Sequence, residues 1–546
     1  MAKSIHLPRQ LRLILAITAV YAIAWFAFLS QVPLGLYPTA EEASRLATAM
    51  SLAAGNTPEG LSVTLYEYIL SHLDNFADSE SRLILLARAL NVLALMLATA
   101  LCAHAAGLYW KKYRSVWISG FLTGLNPVLV FWSTEVAPTM LAVLCAIFAY
   151  SRLLLWLRRP TLRRSLLIGS LITLGGAFEC TLLPFAVVWP LFAWIYPKHN
   201  RLQHLGTALL FPAIAFAFLL VSNFQLHDPF GGHISNIGQG IYEVVNSHEP
   251  FEGKSYNLHN RITPFLLFNP LHWGIIFIMA LAACYTRMKD GHKGNSIITL
   301  LITLSIFSVS YALNDAGSQA RSALIPIFAV YAGGAVAVPR IWTHAGKRTR
   351  RRMLAGLIAL VAVTYSDFYG QRSESNWEQD YALLAEANLD LQRNTSAAEW
   401  ANKALDLNPG RRDMQTILDI AAFNQWALVP NPMPLSVEAV NIYLEEMGPV
   451  REDDSYSQSV RAIYQFKLQQ KQQAVELWER HRERSALALI CLYWCNETAK
   501  PRPDRIDLYK GDPHEDLLRS TLEINRKSVR YGEGKRILDN ILSAAH

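Results

Sequence analysis

The chain has 546 residues, more than a single hydrophobic core accommodates, so at least two domains are expected. Hydrophobic residues make up 52 % and charged residues only 17 %, against about 25 % charged in an average soluble domain; with the apolar residues gathered into long runs, this excludes an ordinary soluble protein. The net charge of +7 does not mark a nucleic-acid partner, because the bases sit in short clusters between apolar runs, where cytoplasmic membrane loops carry them.

The first apolar run, about Leu11 to Leu29, follows Lys3, Arg9 and Arg12, lacks an A-x-A site and reads as a signal anchor with its N-terminus in the cytoplasm. Residues 31–81 form a first outer loop. It carries Glu41, Glu42, Glu59, Glu67, Asp74, Asp78 and Glu80, and its apolar spacing predicts interfacial helices near Thr39–Ala54 and Leu61–Phe76. Further spans are predicted at about Leu83–Gly107, Val116–Phe131 and Met140–Leu157, and a pair fills Leu166–Tyr196 around Gly175-Gly176 and Pro184. Leu205–Val221 leads into a second outer loop, residues 222–270. Spans near Leu271–Thr286, Ile297–Leu313, Ser322–Val338 and Leu354–Phe368 complete a count of about eleven. Under that count every basic cluster, from Lys111-Lys112 to Arg350–Arg352, falls on one side. The odd number puts the C-terminal region outside.

The composition changes after residue 370. Long apolar runs stop and amphipathic helices begin, so the predicted domains are residues 1–370, polytopic, and residues 371–546, soluble and α-helical. Tyr381–Pro409 is similar to one tetratricopeptide unit, with Leu384 and Ala385 on its first helix and Ala397, Ala401 and Ala404 on its second; Ala462–His481 is a fainter echo. Hairpins of this kind present grooves, so a protein or peptide partner is expected there. Cys491 and Cys495 lie one turn apart and read as two buried thiols or, alternatively, a strained disulfide. Cys102, Cys145, Cys180 and Cys284 read as small packing residues in apolar runs.

In the membrane part, Glu41-Glu42-Ala-Ser-Arg45 opens the first outer loop helix. Thr64–Asn91 follows as a Tyr-containing helix, a polar joint and an Arg-led start of span two. Leu125–Thr134 carries an Asn-Pro in span three, and Ala320–Ala335 is an Arg-led late run with an early Pro. This order of features, over about Leu11 to Val338, resembles the GT-C superfamily of polytopic glycosyltransferases, nearest to its protein O-mannosyltransferase and aminoarabinose-transferase branch. The chain departs from that pattern in having Glu41 where Asp is usual, Val63-Thr64 where Pro-Pro is usual, and Ser322 where an aromatic residue is usual.

The resemblance implies transfer of a sugar from a polyprenyl-phosphate donor to an acceptor hydroxyl of a lipid, glycan or protein. It implies work at the outer face of the cytoplasmic (inner) membrane, with the C-terminal domain periplasmic. Such a reaction needs a base and positive charge for the leaving phosphate. Glu41 is the candidate base, and Glu42 a second base, orienter or metal ligand; both also suit a solvated helix start, where the dipole favours acids. Arg321, Arg88 and Arg261 are the candidate donor-phosphate residues, each also readable as an interfacial or structural base. His259 stands where some relatives place a metal-binding His, so a divalent metal is the one cofactor implied; hydrogen bonding in a polar loop is its ordinary reading. Glu179, between spans five and six, is an acid at membrane depth that either faces a cavity or caps a turn. Gly231-Gly232 and Gly238-x-Gly240 make no nucleotide loop. Two other classes fit parts of the pattern: an O-antigen ligase or polymerase, which would not need the early Glu pair, and a non-catalytic scaffold acting through its helical tail.

Overall fold

The computed structural model describes residues 9–29, 40–54, 63–77, 80–197, 199–221, 237–247, 271–285, 291–313, 317–335, 342–343, 346–366, 377–390, 393–415, 417–418, 421, 440–441, 444 and 455–495. Among these residues the protein is helical throughout, with no strand. It divides into two compact units, residues 1–376 and 377–546.

The first unit carries α1 (Arg9–Leu29), α2 (Ala40–Ala53), α3 (Leu65–Asp74), α4 (Glu80–Trp110), α5 (Tyr113–Gly124), α6 (Pro127–Ser133) and α7 (Thr139–Arg158). It continues with α8 (Leu162–Phe178), α9 (Leu183–Ile195), α10 (Arg201–Val221), α11 (Ile237–Val245), α12 (Trp273–Tyr285), α13 (Gly291–Leu313), α14 (Ser318–Ser322), α15 (Leu324–Ala332) and α16 (Lys347–Tyr365). The two helices expected in the first outer loop are α2 and α3. Thr64 caps α3 with a reciprocal box: its hydroxyl accepts from the Glu67 N–H (3.3 Å) and its own N–H donates to Glu67 Oε2 (2.6 Å).

Among the described residues two helices are long and apolar enough to cross a membrane, Arg82–Trp110 and Thr139–Arg158, against an expected eleven spans. A third arises if α5 and α6 count as one span, but that pair bends by 51°. The third expected span is therefore broken. Pro127 cannot continue α5, and the Asn126 side chain instead accepts from the N–H groups of Val128 and Leu129 (both 3.1 Å) to start a new helix. Four shorter apolar helices, Arg12–Ala24, Cys180–Ile195, Trp273–Tyr285 and Ile297–Leu313, fall below the crossing length. Large apolar side chains remain exposed along the outer faces, among them Leu93, Leu97, Val187 and Leu191, as a membrane-associated bundle requires.

The core of this unit is α15. Every residue of its sequence LIPIFAVYA is buried, so it has no polar face to present to water. Trp110 Nε1–H donates to the Val330 carbonyl (2.8 Å), and the hydroxyls of Tyr150 and Tyr331 share a hydrogen bond (2.5 Å). The run was expected to continue as helix to Val338, but α15 stops at Ala332. The Trp110 ring lies 2.0–2.4 Å from where a Cβ on Gly334 would stand, so the chain passes the indole only because that residue is Gly. Cys102, Cys145 and Cys284 are buried as expected of packing residues, whereas Cys180 is half-buried at the turn before α9.

The second unit contains α17 (Glu378–Asp390), α18 (Asn394–Leu407), α19 (Ser455–Lys467), α20 (Lys471–His481) and α21 (Ala486–Trp494). Helices α17 and α18 form a hairpin whose contact is made by Ala385, Ala397, Ala401 and Ala404, all fully buried; side chains this small let the two backbones approach. A second core gathers Ile463, Trp478 and Leu487, with Trp478 Nε1–H donating to the Ser459 carbonyl (3.1 Å). Cys491 is buried in that core and Cys495 is half-buried; no disulfide joins them.

Lys467 is buried at 2 % exposure, and burial pushes its ammonium down to about 8 from 10.5. Between those two values the unfolded chain holds the extra proton. Stability of this unit is therefore expected to rise as pH climbs from about 8 toward 10.5. Hydrogen exchange across α19 in that window checks the rise, and Lys467→Met should flatten it.

Candidate functional site

The site grows from the five residues that join α6 to α7, Thr134–Pro138, with the helix-end residues Ser133 and Thr139 on either side. This segment is buried but has no helix of its own to satisfy its backbone, so side chains from elsewhere must do so. Glu42 on α2 is 4 % exposed, and its Oε1 accepts the Val136 N–H at 2.8 Å. Arg45, one turn along α2, donates from Nη1 to the Val136 carbonyl at 3.3 Å. Asn91 on α4 is fully buried, and its Nδ2 donates to the carbonyls of Glu135 (2.7 Å) and Ala137 (3.0 Å) and more distantly to Tyr66 Oη (3.5 Å). At the far end Thr139 Oγ1 donates to Gln319 Oε1 (3.0 Å) on α14. One strap thus ties together α2, α4 and α14 at the start of the late Arg-led run.

The surroundings are dry and charged. Tyr66 is buried against Leu46, Leu70 and Ala87, and burial pushes its phenol well above its ordinary value, so it stays protonated. Arg88, 6 % exposed, sits one turn before Asn91 on α4. Glu135, in the strap itself, is 1 % exposed. Glu135 was not among the residues singled out from the sequence. The available signal was an acid between two apolar runs, where solvation is poor.

Glu41 opens the first turn of α2, one residue before Glu42; its side chain lies outside the described residues, as do Arg261, His259 and the other ligand-type residues at 222–236 and 248–270. Arg321 is not at an open mouth. It is 1 % exposed, and its Nη1 donates to the carbonyls of Glu243 and Asn246 (2.7 Å each), with the guanidinium carbon 5.9 Å from the Trp273 ring centre. It therefore anchors the 242–247 segment, which is also held by Trp273 Nε1–H on the Val244 carbonyl (2.9 Å) and by Asn246 Nδ2–H on the Ser366 carbonyl (2.8 Å). Glu179 caps the short turn before α9, accepting from the Thr181 hydroxyl (2.9 Å). Among the described residues no three of His, Cys, Asp and Glu come together to hold a metal ion.

The arrangement holds the Glu42 carboxylate rigidly in a buried setting, with Arg45 of the same helix on the same backbone residue. Comparison with family models, with curated proteins and with solved structures gives no match.

Proposed function

We propose that this chain is a multi-pass inner-membrane glycosyltransferase of GT-C type that moves a sugar from a polyprenyl-phosphate donor to an acceptor hydroxyl at the outer face. Glu41 takes the hydroxyl proton, the hydroxyl oxygen bonds to the anomeric carbon, and the bond from that carbon to the phosphate oxygen breaks to release polyprenyl phosphate. Glu42 orients the helix that carries the base. Arg88 and Arg45 supply positive charge near the leaving group, and Arg321 holds the 242–247 segment at the site's border.

The observation that carries this reading is the strap. Glu42 on α2 and Gln319 on α14, at the start of the Arg-led run, are anchored to one short segment, at Val136 in its middle and at Thr139 at its end. A solvated helix start would leave Glu42 in water; here it is buried and bound. The test is a lipid and glycan comparison of wild type with Glu41→Gln in its native host. Accumulation of a sugar-loaded polyprenyl phosphate, with loss of one glycan product, is expected; an unchanged lipid and glycan profile would overturn the reading.

A non-catalytic scaffold is favoured by one specific observation, that Glu42 and Arg321 both spend hydrogen bonds on backbone. Deletion of residues 377–546 separates the two. Transfer survives it if the first unit is the enzyme, and all function goes with it if the tail is the working part.

A further inference from the structure

A second polar site lies at the opposite end of α4 and α7 from the strap. His104 on α4 and Arg152 on α7 stand at matching levels of two helices that pack side by side. Each stands six residues before the end of its helix, Trp110 and Arg158, or about 9 Å inward along the axis. Neither has a hydrogen-bond or ion-pair partner among the described residues. Arg152 lies over the Phe148 ring (4.9 Å), and its Nε is buried without an acceptor. No acid is near in sequence: residues 81–134, which contain nearly all of α4, and residues 136–178, which contain all of α7, have none. Beyond the helix ends stand Lys111, Lys112, Arg114, Arg159, Arg163 and Arg164, while Arg158 Nη2 donates to the Leu108 carbonyl (2.7 Å) and joins the two ends.

A guanidinium at that depth whose Nε has no acceptor calls for an anion. The face of α4 that leads to His104 carries Leu93 and Leu97, both about half exposed, and then Leu101, at helical spacing. An apolar stripe that ends in a guanidinium and an imidazole donor, with a basic rim beyond, matches one molecule: acyl chains joined to a phosphodiester.

We propose that His104 and Arg152, with the basic rim at 111–114 and 158–164, seat the headgroup phosphate of an anionic phospholipid of the inner leaflet. The proposal rests on the membrane reading given above, with the 110 and 158 ends facing the cytoplasm, and is independent of sugar transfer. A lipid is chosen over a soluble phosphate because the site is reached along an apolar stripe rather than through a polar cleft.

The full chain reconstituted in bilayer discs of phosphatidylcholine, with and without phosphatidylglycerol, tests this by native mass spectrometry of the retained lipid. Wild type should retain phosphatidylglycerol selectively. R152Q should lose about five-fold in that preference, R152K should keep most of it, and H104Q should fall between. Equal preference in wild type and R152Q overturns the proposal, as does displacement of the lipid by inorganic phosphate alone. If R152Q does not fold, as judged by its melting in phosphatidylcholine alone, H104Q decides between the same outcomes. Extraction of the chain from native membranes by alkaline carbonate would overturn the membrane reading itself, which is a different failure from a chain that stays in the membrane and ignores headgroup charge.

Discussion

Asn91→Leu is expected to destabilise the first unit by about 2–6 kcal/mol, although it adds apolar volume to a buried site. The amide of Asn91 donates to the carbonyls of Glu135 and Ala137, and both lie in a segment with no helical ladder of its own. Leucine donates nothing, and each buried carbonyl left without a donor costs about 1–3 kcal/mol. The loss should be local before it is global. The strap loosens first, so hydrogen exchange at Val136 should accelerate, because the Glu42 carboxylate that accepts its N–H loses the fixed backbone it was aimed at. Thermal unfolding of the detergent-solubilised protein measures the whole effect. Asn91→Leu with wild-type melting and wild-type exchange at Val136 would show that the strap is held by something other than this amide.

Arg321→Leu is expected to cost about 2–6 kcal/mol, because it strands two buried carbonyls and each costs about 1–3 kcal/mol without a donor. Its Nη1 serves two carbonyls at once, Glu243 and Asn246, so the damage should fall on residues 242–247 rather than on α15, although Arg321 immediately precedes that helix. Limited proteolysis should open a cut within 237–247 in the variant and not in wild type. Arg321→Lys is the informative partner. The ammonium stands on a shorter stem than the Nη1 that serves both carbonyls, so it reaches one of them and not both, and its cost should be roughly half. If Arg321→Lys melts like wild type yet fails to transfer sugar, then Arg321 touches the donor phosphate as well as the backbone.

Much of the local structure was legible in the sequence because it rests on neighbours in the chain. The small residues Ala397, Ala401 and Ala404 were read as a helix contact and are one; the capping box from Thr64 to Glu67 and the helix restart at Asn126-Pro127 rest on patterns just as short, although the latter was expected to lie within one continuous span. Apolar content marked the helices of the first unit, but it did not separate a helix that faces lipid from one that is buried on all sides. That is why α15 reads in sequence as one more span and stands in the structure as the centre of the core. The same limit applies to the site. Glu42 was singled out for its place after the first apolar run, whereas its partner Val136 lies 94 residues away and Glu135 drew no notice at all.

Composition and periodicity by themselves determined that this is a helical protein, part of which is apolar enough for a membrane, because both follow from the repeat of side chains along one helix. Only the tertiary structure decided what each polar residue does. A buried carboxylate or guanidinium takes its role from the backbone group that happens to face it, and for the strap at 133–139 that group is brought there by packing between distant segments.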